Sequence, residues 1–393
     1  MSDVKGLDAD TLIAAARADA GLHDLGDDTL AGRLQDLADQ LNDRLAPPAE
    51  ARAAEVIHGL LVERLRVFGD RARYPMASER VERPIIAFGE GRSGTTLLQM
   101  LLGCDPESRL LEFWQAMRPS PPPGISDATR RREQADDDWR EILERIPRWL
   151  TSHPYNDMLG ANPPECERLW AFDFRAMPPT AWWRVPGVHF PAVHLPRDDV
   201  RQYAIHRMLL QHLQHGRTPK RWVLKGVTHQ HRLPALLDAY PDAVFVWIHR
   251  DPLPAIASRF ELQAQIYEAI SGGGGSIDRQ AFAEVLVEQS VASFSAAAES
   301  THAGDPRIHH LVYQDFTADP FGTIRELYER AELTFTDGFD DAMRSWSAAN
   351  PSHRHGRFEY RVDALGVDAA ALDASLQPYR DRFGVPRETP KEN

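Results

Sequence analysis

The stretch Arg83 to Thr96, R-P-I-I-A-F-G-E-G-R-S-G-T-T, constrains this chain more than any other. Ile85, Ile86, Ala87 and Phe88 are apolar without alternation, so a strand there must be covered on both faces, as in a parallel α/β sheet. Three glycines follow, and then T-T-L-L-Q-M-L-L-G-C, a helix apolar on most sides. A glycine-rich turn into a helix N-terminus aims several backbone N–H groups at one spot and adds about half a positive charge. An anion site is expected, built on Gly91, Gly94 and the hydroxyls of Ser93, Thr95 and Thr96. Three glycines and three hydroxyls exceed what a plain tight turn requires. The stretch nearly matches the phosphate-binding pattern G-x-x-x-x-G-K-[ST], but Thr95 stands where the lysine belongs. Arg92 offers a planar cationic fork from the other side of the loop.

The rest of the chain repeats strand and helix. R-W-V-L-K-G (221–226), A-V-F-V-W-I-H-R-D-P and I-H-H-L-V-Y-Q-D-F (308–316) read as further strands. Helices are predicted over 200–215, around L-P-A-L-L-D-A-Y, from Leu253 past Ser258, and from Pro320. This alternation implies an α/β fold, a central parallel sheet like that of P-loop proteins with helices on its faces. Ahead of it lies a helical extension. Leucines at three- and four-residue steps predict one amphipathic helix over 7–47, ended by Pro47-Pro48, and a second over about 50–69. The division expected is a helical region over 1–80, either packed on the main body or serving self-association, and an α/β domain over 81–393. Within the latter, Pro119 to Gly124 is a rigid excursion and 127–150 a charged helix with Asp136, Asp137 and Asp138 on a solvated face. Gly272 to Gly275 reads as a flexible loop. The irregular stretch 151–200 carries Trp170, Trp182, Trp183 and Phe190, which suit either a substrate-facing region or ordinary packing.

Composition excludes several classes. With 393 residues, 42% of them hydrophobic and 26% charged, the chain is of globular type. A net charge of −13 disfavours nucleic-acid binding, though not a local basic pocket. No run of 18 apolar residues predicts a membrane span, and the start M-S-D-V-K-G-L-D-A-D lacks a signal-peptide pattern, so a cytoplasmic location is the default. Two distant cysteines, Cys104 and Cys166, give no disulfide framework. The 16 histidines lack metal-ligand spacing, and no metal is expected.

G-E-G-R-S-G-T-T-L-L resembles the 5′-phosphosulfate loop of the sulfotransferases, especially the branch with many bacterial enzymes and the protein-tyrosine sulfotransferases. F-V-W-I-H-R-D-P-L-P-A-I-A-S resembles that family's 3′-phosphate motif, an arginine at a strand end and a serine eight residues on, here Arg250 and Ser258. R-W-V-L-K-G-V-T-H resembles its lysine-bearing strand end, with Lys225 and His229. D-P-E-S-R-L-L-E-F-W-Q-A-M-R-P-S-P-P-P and R-H-G-R-F-E-Y match later segments, the second a basic loop with Arg354, His355, Gly356 and Arg357. The resemblance spans roughly 81–385. Two positions depart from it: Gln115 replaces a glutamate, and Gly226-Val227 replaces Ser-Pro.

The resemblance implies 3′-phosphoadenosine 5′-phosphosulfate (PAPS) as sulfuryl donor, a hydroxyl acceptor and no metal at the transferred group; the aromatics of 151–200 suggest that the acceptor is a small or lipid-like molecule. It implies that Arg92 and Lys225 stabilise the leaving phosphate and sulfuryl oxygens, and that Ser93, Gly94, Thr95 and Thr96 hold the 5′-phosphate. Arg250, Ser258 and Arg357 would hold the 3′-phosphate. Glu112, twenty residues after Arg92, is the first candidate for the general base, followed by His229, Glu167 and His153. A small-molecule kinase or other P-loop NTPase is the alternative enzyme, disfavoured by Thr95 and by an arginine ahead of Asp251. A non-catalytic nucleotide-binding protein is the alternative outside enzymes. Self-association into a homo-oligomer is compatible with the helical extension.

Overall fold

The computed structural model describes residues 6–187, 195, 197–271 and 277–388. Five strands form its sheet: β1 (Ile85–Phe88), β2 (Ser108–Leu110), β3 (Arg221–Gly226), β4 (Val244–His249) and β5 (Ile308–Val312). They lie in the order β2-β3-β1-β4-β5 and all pair parallel. The register sets Phe88 against Gly226 on one side and Trp247 on the other. The carboxyl ends of β1, β3 and β4 therefore open at one edge, where ligands of open α/β sheets bind.

The continuous apolar run of β1 divides between two cores, as a two-residue repeat requires. Ile85 and Ala87 join Val223, Val246 and Ile248 on one face, with Leu98 and Leu101 from the helix that follows the loop. Ile86 and Phe88 join Leu224, Phe245 and Trp247 on the other, and that core continues into the N-terminal helices through Leu37, Ile57, Leu61 and Leu65.

The predicted helix over 7–47 is two helices, α1 (Ala9–Ala20) and α2 (Leu30–Asn42). The leucine periodicity runs through the break, where Gly21 caps α1 in a left-handed conformation with its N–H on Arg17 O. Pro47 and Pro48 do not end a helix; they open α3 (Pro47–Arg73). A proline at the first helical position gives up only an N–H that has no intrahelical acceptor. Arg33 of α2 and Arg64 of α3 reach the buried carboxylate of Asp173, at 2.9 and 3.0 Å, where Arg175 joins them at 2.6 Å. Two helices of the extension are thus pinned to the main body by one buried charge.

Strand β2 was not anticipated, since three residues carry no readable periodicity. The acidic triplet is solvated only in part: Asp137 is exposed, but Asp138 is buried and pairs with Arg118 and Arg184 at 2.7 and 3.0 Å. Asp136 accepts the Gly160 N–H. Trp170, Trp182 and Trp183 are at most 2% exposed, so these three pack the core. Phe190 and Gly272 to Gly275 lie outside the described residues. Among the described residues no helix is long and apolar enough to cross a membrane.

Candidate functional site

The loop between β1 and helix α4 (Thr95–Leu102) folds as its glycines require. Gly94 has φ +89°, and a Cβ there would lie 2.9 Å from the Tyr313 ring. At Gly89 a Cβ would lie 2.3 Å from the backbone oxygen of Ile248, so only glycine lets the loop leave β1 against β4. Arg92 also takes a left-handed conformation, φ +75°, which an arginine adopts only when its surroundings hold it. The Ser93 N–H and Oγ both bond Glu90 O inside the turn, at 3.2 and 2.7 Å. The first N–H to close a bond within α4 is that of Leu98, onto Gly94 O. The N–H groups of Thr95, Thr96 and Leu97 therefore have no intrahelical acceptor and stay available to an anion.

Lys225, at the end of β3 opposite Ala87, brings an ammonium to the N-terminus of α4. Its Nζ donates to Thr96 Oγ1 and to Glu165 Oε1, both at 3.2 Å. The Cys166 N–H bonds Lys225 O at 2.7 Å, which sets the 165–166 segment along the strand end and brings Glu165 to the ammonium.

A second cluster lies at the end of β4. Arg92 Nε donates to Ser258 Oγ at 3.0 Å, and Nη1 to Ser152 O at 2.9 Å, while its guanidinium lies over the Phe358 ring. Ser258 is fully buried, in the helix Pro252–Ile270. Arg250 Nη1 donates to Arg92 O at 2.7 Å, and Nη2 to Tyr360 OH at 2.8 Å. Arg92, Arg250 and Ser258, far apart in sequence, thus meet at one place, and Lys225 and the α4 N-terminus share the same sheet edge. Burial first, then the Arg250 charge, lowers the Arg92 guanidinium to about 10, so it stays protonated at neutral pH.

Arg357 is exposed on the predicted basic loop. Its neighbours Arg354 and His355 fasten the loop instead of facing an anion: both contact Asp157, at 2.6 and 2.9 Å. Thr151 Oγ1 bonds His355 O, so the loop is fixed to the segment that carries Ser152 and His153.

The base candidates fall in different settings. Glu112 caps the helix Phe113–Met117 and accepts from Trp114 Nε1 at 2.7 Å and Gln115 Nε2 at 3.0 Å. Gln115 thus orients the Glu112 carboxylate. Glu167 Oε1 accepts from the N–H groups of Val227 and Thr228, each at 3.0 Å, and from Thr228 Oγ1 at 2.7 Å. It shapes the loop where Gly226-Val227 stands. Burial, then the Glu165 charge, raises its carboxyl to about 7. His229 is buried beneath the same loop with Nδ1 on Tyr203 OH at 2.7 Å, and burial holds it neutral. His153 stacks on Trp149 at 4.4 Å, and burial, then the Arg92 and Lys225 charges, holds it well below its ordinary range.

Two residues at the site escaped the sequence reading. Glu165 had a signal, two carboxylates astride Cys166 in P-P-E-C-E-R. Glu388 had none; it lies 138 residues from Arg250, whose fork it meets.

Residues 84–337 match the family described as "Sulfotransferase family". The omega-hydroxy-beta-dihydromenaquinone-9 sulfotransferase Stf3 of Mycobacterium tuberculosis is 24% identical over 83% of this chain and 80% of its own length. Among solved structures, sulfotransferase STF9 from Mycobacterium avium matches with a TM-score of 0.82 and 26% identity over 98% of both chains. Sulfotransferase STF1 from Mycobacterium tuberculosis gives 0.75 and 25% over 95% of this chain and 99% of its own. The match covers well over half the chain, and the loop, the strand-end lysine and the arginine–serine pair lie inside it: this protein belongs to the sulfotransferase family and is an enzyme of that type.

Proposed function

We propose that this enzyme takes its sulfuryl group from PAPS and delivers it to a hydroxyl of a lipid-like acceptor by in-line displacement. One observation supports the reading: two clusters of cationic side chains and hydrogen-bond donors at one sheet edge, joined by Arg92, which belongs to the loop and touches Ser258. A donor with a 5′-phosphosulfate and a 3′-phosphate needs two such places. The residues fit it. The α4 N-terminus and Lys225 would take the 5′ end, and Arg250, Ser258, Arg92 and Arg357 the 3′-phosphate. When bound, the donor supplies an activated sulfuryl group, and its transfer to the acceptor oxygen leaves the 3′,5′-bisphosphate.

The protein's part is positioning and charge. Lys225 and the α4 N–H groups would stabilise the oxygens where negative charge grows. A general base within hydrogen-bond reach would take the proton of the acceptor hydroxyl. Glu112 lies just beyond β2 at the same edge of the sheet, held by Trp114 and Gln115. Contact with Lys225 favours Glu165 for this role, because it is 3.2 Å from the ammonium and its side chain is 39% exposed, open to an incoming acceptor. The lipid-like acceptor rests on the menaquinone derivative named for the relative Stf3.

Thermal shift with 3′,5′-adenosine bisphosphate, without metal, tests the donor against ATP–Mg²⁺. A larger shift with ATP–Mg²⁺ would sink the reading in favour of a P-loop NTPase; no shift with either would favour a protein without this nucleotide site. In the structure Asp251, the acid after β4, is engaged by Arg380 at 2.8 Å, which leaves it poorly placed for Mg²⁺.

A further inference from the structure

The three residues that end β4 and follow it, His249, Arg250 and Asp251, are each held by the C-terminal segment 379–388. Asp251 Oδ1 accepts from Arg380 Nε and Nη2 at 2.9 and 2.8 Å, and Oδ2 accepts the Glu388 N–H at 2.8 Å. His249 Nδ1 meets Tyr379 OH at 2.7 Å, and its Nε2 meets His310 Nδ1 at 2.8 Å. His310 Nε2 lies 2.9 Å from Ala303 O. A carbonyl only accepts, so His310 donates from Nε2 and, neutral, accepts at Nδ1 from His249 Nε2. His249 then accepts at Nδ1, and Tyr379 donates. The chain runs one way and ties the helix Gln377–Phe383 to β4 and β5.

The segment so anchored delivers the Glu388 carboxylate to Arg250. Arg250 Nε donates to Glu388 Oε1 at 2.6 Å and Nη2 to Oε2 at 2.9 Å, a two-point fork. That side of a guanidinium is the one matched to the paired oxygens of a carboxylate or a phosphate. The remaining terminal nitrogen, Nη1, is taken by Arg92 O. With Nη2 also bonded to Tyr360 OH, the Nε–Nη2 side is the bidentate face Arg250 has left, and a carboxylate of this chain lies on it.

We propose that Glu388 is an internal competitor for the nucleotide's 3′-phosphate: its carboxylate occupies the Arg250 fork in the free enzyme and is displaced when a 3′-phosphorylated nucleotide seats. This rests on the donor assignment above. The anchors at Tyr379 and Arg380 remain when Glu388 leaves, since neither uses the Glu388 side chain. Only the Glu388 side chain needs to turn away from Arg250. The pair is then exchanged for a phosphate on the same nitrogens, which lowers the affinity for donor and spent nucleotide alike and hastens release of the latter. A nucleotide with a bare 3′-hydroxyl has no group to displace the carboxylate and leaves the pair intact.

Isothermal titration of wild type, Glu388→Gln and Glu388→Ala with 3′,5′-adenosine bisphosphate and with 5′-AMP tests this. Both variants keep the backbone bond to Asp251. The expected result is about tenfold tighter binding of the bisphosphate to both variants, with a slower dissociation rate, and 5′-AMP unchanged within about twofold. Equal or weaker bisphosphate binding to the variants overturns the proposal while leaving the donor assignment standing. An equal gain for 5′-AMP overturns it too, since the effect would then not involve the 3′-phosphate. Bisphosphate binding to none of the three proteins overturns the donor assignment and this proposal with it.

Discussion

Arg92 of the glycine-rich loop donates through Nε to Ser258 Oγ at 3.0 Å, a bond between residues 166 positions apart. It makes one unit of the loop after β1 and the helix after β4. A second link runs beside it, as Glu90 accepts from Arg259 Nη1 at 3.4 Å. Glu90 also takes Gln230 Nε2 at 3.0 Å and the hydroxyl of Ser293, which turns this acidic residue away from the anion side.

Ser258→Ala removes a buried hydroxyl that bonds a cation, an interaction of about 1.5–3 kcal/mol. Affinity for 3′,5′-adenosine bisphosphate should fall about 10- to 100-fold by calorimetry, with 5′-AMP affected much less. Equal losses for the two nucleotides would mean that Ser258 supports only the loop.

Glu165→Gln should lower kcat by about 10² or more while the affinity for the bisphosphate changes little, as removal of a general base requires. Glu112→Gln, tested alongside with a working acceptor, should lose less. Reversed rankings would return the base to Glu112, and undiminished turnover in both would remove these carboxylates from proton transfer.

Lys225→Met leaves the strand in place but removes the only ammonium bonded to Thr96 among the described contacts. Loss of a charged group at the transferred oxygens should cost about 2–5 kcal/mol of transition-state stabilisation, read as a fall in kcat/KM. A change in KM alone would place Lys225 in binding and not in transfer.

Glu167 sets a pH dependence of stability. Its carboxyl is raised to about 7 in the folded protein, above the ordinary value of 4.5. Between these values the folded chain holds a proton that the unfolded chain has lost, so stability falls as pH rises through that window. Glu167→Gln keeps an acceptor oxygen for Val227 and Thr228 and has no proton to lose. Its stability relative to wild type should rise from pH 5 to pH 8, by up to about 3 kcal/mol in denaturant titrations. A difference that is flat with pH would contradict this.

Asp173→Ala removes the buried carboxylate shared by Arg33, Arg64 and Arg175, and leaves Arg33 its pair with Asp27. Loss of about 3–5 kcal/mol is expected in urea unfolding. If the N-terminal helices depend on this anchor, protease cleavage in 21–29 should speed up as well.

The local parts of the site were legible because each is a short-range pattern. An unbroken apolar run followed by glycines and hydroxyls reads as a buried strand feeding a turn suited to an anion, and Arg92 could be placed in that turn, Lys225 and Arg250 at strand ends, and Ser258 in the helix after β4. The N-terminal break was not legible: leucine spacing persists across residues 21–29, and periodicity does not register a turn that keeps the same face inward. The tryptophans of 151–200 were ambiguous for a related reason, since bulk and apolarity alone do not say whether a ring meets the core or a ligand.

The sequence by itself determined the fold class, the glycine-rich loop between β1 and α4 and the kinds of residue around it. Tertiary structure alone decided the partnerships: Arg92 with Ser258, Glu165 with Lys225, Glu388 with Arg250. A side chain's neighbours across the sheet edge depend on strand order and on how loops pack, and the order β2-β3-β1-β4-β5 brings together residues whose separation along the chain carries no trace of their contact.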